Sequence, residues 1–485
     1  MSDYSDRLAE SLDRRNFLRG AALLGTAVAL GACSGTSSKA SSTTRSPSTT
    51  GGNGGASTTS STAPARIRRP GERPDPSKPE GVDTLPQIEH IVVLMMENHS
   101  FDNYLGVLGR GDGLPLDSSG KPKVALPDGT GHYIHSFAMP TTCQVHAKPS
   151  QAWNASHQSL GQGDNTGFVE ACGPVAMGYF TPEQIPFYAG LARTYPLCDR
   201  WFGSCLAQTY PNRRFLMAGT AAGIIDTTAN SVLAPPPPNG VIMERLEAHH
   251  VSWMNYYNDI TAAFLFPKFM SNRLSHVAHM DRFYQDCAAG TLPGVAFVDP
   301  AFNDDAGMSE ENPADVRVGE QFAAKVVRAL TTGKAWDKTV LIWLYDEHGG
   351  YYDHVVPPKA IAPDGIAPNL PPGSLPGGYD QYGFRVPAAI ISPYSRPDYV
   401  SHVVHDHTSV MKLIETKWNL PALTFRDANA DNLLDSLDFS SPPAFADPPK
   451  LPEPALGLSG ALPPANCGGV GAGTIPPPGA RTTTP

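Results

Sequence analysis

The chain has 485 residues with 36 basic and 46 acidic side chains, a net charge of −10. That length suits one large domain or two ordinary ones, and no basic run interleaved with aromatic residues occurs in its body, which argues against nucleic-acid binding. Proline (48) and glycine (46) are abundant and gather toward the two ends, which points to tails rather than to a fibrous protein.

The first segment reads Arg14-Arg15-Asn16-Phe17-Leu18-Arg19-Gly20, followed by an apolar stretch from Ala21 to Leu30. This order is that of an export signal and is too short to span a bilayer as a stable helix. The Arg-Arg-x-Phe-Leu pattern resembles a bacterial twin-arginine signal, and Leu30-Gly31-Ala32-Cys33 resembles a lipoprotein box. By that resemblance residues 1–33 are a signal, and Cys33 becomes the lipidated first residue of an envelope protein held to a membrane by its acyl chains. A plain secretory signal is the alternative. Residues 34–85 are Ser, Thr, Gly and Pro with few apolar side chains, which reads as a flexible tether. Beyond Cys33 stand Cys143, Cys172, Cys198, Cys205, Cys287 and Cys467. An even number of cysteines in an exported chain suggests disulfides, and the lack of a C-x-x-C pair gives no support to a cysteine zinc site.

Folded sequence is expected from about residue 86 to 440, with a Pro-rich tail over 441–485. The apolar run Glu89 to Met96 predicts a buried strand, ending in Glu97-Asn98-His99-Ser100-Phe101-Asp102. A turn-rich loop follows His157. Residues 186–203 read as a helix and then irregular chain, leading into Gln208-Thr209-Tyr210-Pro211-Asn212-Arg213, with a helix expected over Leu216 to Ala222. Thr209 is either a simple N-cap or a nucleophile at a helix N-terminus, where backbone N–H groups favour a phosphate. Further strands are expected at Val251–Tyr257 and Gly294–Val298, and a helix at Ala314–Leu330.

A second buried strand, Thr339 to Leu344, runs into Asp346-Glu347-His348-Gly349-Gly350-Tyr351-Tyr352-Asp353-His354. Two strands that each deliver acidic residues to one sheet edge would build a divalent-metal site. Val386 to Ser392 predicts another strand, and Thr408–Trp418 a helix behind His402, His405, Asp406 and His407. Strands alternating with helices argue for a largely parallel sheet covered on both faces. No Gly-x-Ser-x-Gly elbow and no G-x-x-x-x-G-K-[ST] loop occur, which disfavours an α/β-hydrolase esterase and a P-loop enzyme.

Four stretches in order resemble the signature motifs of the phosphoesterase family of bacterial phospholipases C, plant non-specific phospholipases C and related acid phosphatases. They are Glu97 to Asp102, Thr209 to Arg213, Asp346 to Val355 and Gly383-Phe384-Arg385-Val386-Pro387. The resemblance implies an alkaline-phosphatase-like α/β/α sandwich with a mostly parallel central sheet. It implies that Glu97, Asn98, Asp346 and Glu347 ligate one divalent metal ion and that Thr209 is the nucleophile. His348, His354, His407 and His157 are similar to the family's histidines around the scissile phosphate, and Asn212 and Arg213 join the substrate-contacting candidates. Asn312 stands where many members carry histidine, and His99 replaces a more usual arginine.

The all-oxygen ligand set favours Ca²⁺, Mg²⁺ or Mn²⁺ over Zn²⁺. The expected activity is an exported, metal-dependent phosphoric ester hydrolase working through a phosphothreonine intermediate. A phospholipase C releasing diacylglycerol is favoured over an acid phosphatase acting on monoesters. A surface lipoprotein that binds a phosphorylated ligand without cleaving it is the third reading.

Overall fold

In the computed structural model the described residues are 66–143, 148–302, 307–312, 314–455 and 474–485. The signal, Cys33 and Cys467 lie outside them. Among the described residues no helix is long and apolar enough to cross a membrane.

The centre is an eight-stranded sheet. Its strands are β1 (His90–Met96), β2 (Leu197–Cys198), β3 (Trp253–Tyr257), β4 (Val277–His279), β5 (Val295–Val298), β6 (Thr339–Tyr345), β7 (Ala388–Ile391) and β8 (Val400–Ser401). Their order across the sheet is β8-β2-β7-β6-β1-β5-β3-β4. All pairings are parallel except those that β7 makes with β6 and β2. Every residue of β6 is buried, as expected for a strand covered on both faces. Its sequence is accordingly a continuous apolar run rather than an alternation.

The helices that matter here are α1 (Phe101–Leu105), α2 (Trp153–Leu160), α3 (Phe168–Cys172), α4 (Pro186–Thr194), α5 (Thr209–Ala218), α6 (Ile242–Ala248), α7 (Met280–Ala289), α8 (Val316–Thr331), α9 (Thr408–Trp418) and α10 (Phe425–Asn429). Among them α4 and α7 both pack on α8, α5 packs on α6 and α9, α9 packs on α10, and α2 packs on α3. Two helical layers around a mostly parallel sheet give the expected α/β/α class.

Three expectations are corrected. Residues 66–85 are not a free tether: Gly71 and Thr84 donate backbone hydrogen bonds to Ala422 and Lys417, and the Asn419 side chain binds the backbone at Asp75, Lys78 and Pro79. Polar side chains elsewhere satisfy that backbone, which a composition argument does not register. The C-terminal segment also docks, with Phe445 stacking on Tyr195 and accepting a bond from Trp336 Nε1, and Arg481–Thr482 pairing with Tyr133–His135. Cys143 is disulfide-bonded, but Cys172, Cys198, Cys205 and Cys287 are free and buried. Burial pushes the Cys172 thiol up to about 11, so it behaves as a small apolar side chain.

Candidate active site

Strand register builds the site. Met96 pairs with Tyr345, so Glu97 and Asp346 leave neighbouring strands together at their carboxyl ends. Asn98 follows with φ 71°, and its backbone N–H donates to Asp346 Oδ1 at 3.2 Å. Gly349 lets the two loops cross. It has φ +66°, and a Cβ there would lie 1.9 Å from the Asn98 carbonyl oxygen. The Gly-Gly pair thus serves a close approach of one motif's backbone to another's. Gly349 N–H also donates to Glu347 Oε2 at 2.7 Å, while Glu347 Oε1 is buried without a hydrogen-bond partner.

A third strand adds a carboxylate that sequence reading passed over. Val298 pairs with Leu94, which brings Asp299 alongside Met95. The signal was present, because the apolar run Val295 to Val298 ends directly in an aspartate, the same pattern as β1 and β6. Arg213 gathers the acids. Its Nε is 3.2 Å from Asp346 Oδ2, its Nη1 3.7 Å from Asp299 and its Nη2 3.9 Å from Glu97. Nη2 also donates to the carbonyls of Met95 and Met96. All of these groups are buried. Burial raises the Asp346 and Asp299 carboxyls against the lowering effect of Arg213. Glu347 is raised well above its usual range by burial and by the nearby charges of Glu311 and Glu97. Arg213 therefore holds these carboxylates in place.

Thr209 is the first residue of α5, so this helix begins seven residues before the expected start at Leu216. Pro211 sits within the first turn, where a missing N–H costs nothing. Thr209 and Arg213 are four residues apart, which puts them on one helix face, and Arg213 reaches the acids. The Thr209 hydroxyl is buried without a hydrogen-bond partner. Asn212 is spent on the chain ahead of it, accepting from Cys205 N–H at 3.1 Å and donating to the Ala207 carbonyl at 2.9 Å and the Gln208 carbonyl at 3.1 Å. It shapes the loop that delivers Thr209.

The four histidine candidates separate. His407 Nδ1 accepts from Trp201 Nε1 at 3.3 Å and its Nε2 donates to the Asp346 carbonyl at 2.6 Å. Both nitrogens are used and burial lowers its pKa to about 4, so it braces Asp346 as a neutral ring. His348 is buried against Phe384 and Phe168, lowered to about 3, with Nε2 unpartnered. His157 packs on Trp153 and bonds that residue's carbonyl at 2.8 Å, away from the acids' hydrogen-bond network.

His354 differs. Burial lowers its pKa, but the hydrogen bond and charge of Asp102 prevail and raise it overall. Its Nδ1 lies 2.6 Å from Asp102 Oδ2 and its Nε2 3.3 Å from Asp112. Arg385 of the fourth motif ties the group together through Asp353 at 2.8 Å and Asp102 at 3.2 Å. Asn312 donates to the Tyr351 hydroxyl, and neighbouring Glu311 pairs with Lys148 at 2.6 Å. The structure thus joins Glu97, Asn98, Asp346, Glu347 and the Thr209 helix, and sets His354 in an adjoining ionic network.

The phosphoesterase family matches residues 88–421. The chain belongs to the phosphoesterase family. It is a phosphoric ester hydrolase. Phospholipase C B of Mycobacterium tuberculosis is 32% identical over 442 residues, covering 78% of this chain and 83% of the relative. Non-specific phospholipase C1 of Arabidopsis thaliana is 30% identical over 408 residues, covering 76% and 75%. A protein in the alkaline phosphatase superfamily from Vibrio parahaemolyticus aligns over 88% of this chain and 79% of its own, with 10% identity and a TM-score of 0.39.

This phosphoesterase holds acidic and histidine groups able to bind a metal ion. The donor chemistry of Glu97, Asn98, Asp346 and Glu347 fits a hard cation, since all are buried oxygen donors and Glu347 Oε1 has no other partner. Among the described residues, however, Glu97, Asp346 and Glu347 do not bring three ligand atoms within 4.8 Å of one another. Arg213 and the Gly349 N–H hold Asp346 and Glu347 in separate directions. Asp102, Asp353 and His354 do converge to that degree, but Arg385 already supplies their positive charge.

Proposed function

We propose that this phosphoesterase is a metal-dependent phospholipase C that uses Thr209 as its nucleophile. The observation that carries the reading is the buried Thr209 hydroxyl, without a hydrogen-bond partner, at the start of a ten-residue helix on the face shared with Arg213 and its carboxylates. A divalent cation held by Glu97, Asn98, Asp346 and Glu347 would supply charge to phosphate oxygens and acidity to the hydroxyl. The chain's own groups do the rest. Backbone N–H groups at the start of α5 face the phosphate. Thr209 Oγ1 gives up its proton to solvent and attacks phosphorus as the bond to the leaving alcohol breaks, giving a phosphothreonine that water later cleaves. His354, the one candidate whose pKa is raised, protonates the departing alcohol, with Asp102 fixing its ring.

A lipid substrate is supported by the names of the relatives and by the loop that leaves the site after His354. Val356, Ile366, Leu370 and Leu375 are exposed along it, an apolar surface beside polar chemistry. The twin-arginine-like signal and Cys33 support export and anchoring to a membrane.

The test gives the full chain phosphatidylcholine vesicles and p-nitrophenyl phosphate in parallel, with and without EDTA. Diacylglycerol release that dominates, stops with EDTA and returns with Ca²⁺, Mg²⁺ or Mn²⁺ is the expected result. Fast monoester hydrolysis with little lipid cleavage would move the enzyme to the phosphatases. Full activity after EDTA and dialysis would remove the metal from the reading.

A further inference from the structure

A second polar cluster lies beside Trp201. His405 is fully buried, and its ring centroid is 5.6 Å from that of Trp201. The Ser401 hydroxyl sits 3.2 Å from His405 Nε2 and donates its proton to Asp435 Oδ2. A hydroxyl has one proton to give, so Nε2 carries the ring proton in this pair and Nδ1 presents its lone pair. That nitrogen has no hydrogen-bond partner, and it faces Asp431 Oδ1 at 3.6 Å. Asp435 Oδ1 is also buried without a hydrogen-bond partner, 3.9 Å from His405 Nε2. One ligand atom from each of the three residues lies within 4.8 Å of the other two.

Three acceptors therefore converge. At the Asp102 cluster the same arrangement is neutralised by Arg385, but here, among the described residues, His405 is the sole ion-pair partner of Asp431 and Asp435. Burial lowers the pKa of His405, against the raising effect of the two aspartates. A neutral imidazole lone pair beside two carboxylates is a ligand set: Asp431 Oδ1 also accepts the Leu433 N–H at 2.9 Å, whereas His405 Nδ1 and Asp435 Oδ1 are buried with no hydrogen bond, which is costly. The Asp431 and Asp435 side chains are 37% and 20% exposed, which opens the cluster to solvent on one side. Ligand atoms bound at about 2.1 Å in a tetrahedron lie roughly 3.4 Å apart, close to the 3.6 Å between His405 Nδ1 and Asp431 Oδ1. One imidazole with two carboxylates suits Zn²⁺ or Mn²⁺ better than an all-oxygen cation such as Ca²⁺.

We propose that His405, Asp431 and Asp435 form a divalent transition-metal site of the zinc class, separate from the carboxylates around Asp346. The ion joins the loop after β8 to the segment after α10. It thereby steadies Trp201, which packs against His405 and donates a hydrogen bond to His407, the residue that holds the Asp346 carbonyl.

The test uses the full chain, stripped with EDTA and titrated with Zn²⁺ alone. Asp431→Asn and Asp435→Asn should each bind one equivalent fewer than the parent and lose part of the zinc-induced rise in Tm. Equal stoichiometry in the parent and both variants would overturn the site. A zinc-edge anomalous map of the parent protein answers independently of how the variants fold. A peak within bonding distance of His405 Nδ1 is the expected result, and none at saturating zinc overturns the proposal. Neither readout depends on the Thr209 chemistry.

Discussion

His354 Nδ1 lies 2.6 Å from Asp102 Oδ2, and the same carboxylate oxygen accepts the His354 backbone N–H at 2.7 Å. One residue of the first motif thus fixes both the position and the proton of the histidine that ends the third. The raised pKa of His354 keeps the ring protonated to higher pH than the ordinary value of about 6.5. If it donates the proton to the leaving alcohol, kcat falls as pH rises through that raised value. His354→Ala should remove this alkaline limb and lower kcat by about 10²- to 10⁴-fold. Asp102→Asn should move the limb to lower pH. The sign for stability is the same: the pair's contribution is full below the unfolded pKa and is lost as pH rises through the folded one. A pH profile of kcat for the three proteins checks this, and an unchanged limb in His354→Ala would assign the proton to another group.

Thr209→Ala should abolish turnover while leaving the fold intact. Loss of a nucleophile costs roughly 10³-fold or more in kcat. The hydroxyl is buried without a partner, so deleting it removes an unsatisfied polar group, and stability should hold or rise by up to about 1 kcal/mol. Thr209→Ser should keep activity. Steady-state kinetics with thermal unfolding of each variant separates the chemical loss from any structural one.

Arg213→Met tests the balance between guanidinium and cation. Removing the arginine takes the guanidinium away from the buried carboxylates of Asp346, Asp299 and Glu97, and breaking a buried ion-pair cluster from one side costs on the order of 3–5 kcal/mol. The variant should be strongly destabilised in EDTA and partly rescued by Mg²⁺, Mn²⁺ or Ca²⁺, more so than the parent. Equal Tm shifts with metal in both proteins would show that the acids do not share a cation.

Gly349→Ala should destabilise the site even though it adds one methyl group. The residue has φ +66°, and the new Cβ would meet the Asn98 carbonyl oxygen. Strain of this kind costs roughly 1–3 kcal/mol before the clash is counted. A lower Tm and a higher metal concentration for half-maximal activity are expected, because Asn98 and Glu347 both move with this crossing.

Much of this was legible in the chain because β1 and β6 are unbroken apolar runs that end abruptly in carboxylates. A strand buried on both faces leaves that mark in any sequence. The helix Thr408–Trp418 was likewise plain from its periodicity. The two-residue strands Leu197–Cys198 and Val400–Ser401 were not, because two residues carry no period. The histidines illustrate the deeper limit. His348, His354 and His407 look alike as letters, yet only the fold shows that Trp201 and the Asp346 carbonyl consume both nitrogens of His407 while Asp102 raises the pKa of His354. Arg213 was legible as an arginine of the right motif. That it faces three carboxylates required Asp299, whose strand lies more than eighty residues further on.

The apolar loop beyond His354 separates a lipid enzyme from a monoesterase. Ile366 and Leu370 are exposed, and neither is needed to fill the core. Replacing both with Asp should leave the unfolding free energy within about 0.5 kcal/mol of the parent, as for other surface changes. It should leave hydrolysis of a short-chain soluble phosphodiester unchanged. Hydrolysis of phosphatidylcholine vesicles should fall, since each apolar side chain buried in a bilayer contributes roughly 1.5–3 kcal/mol that a carboxylate cannot. Side-by-side rates on the two substrates check this. An equal fall on both would place the loop's contribution in the pocket, and no fall on either would leave the lipid surface to be met by another part of the chain.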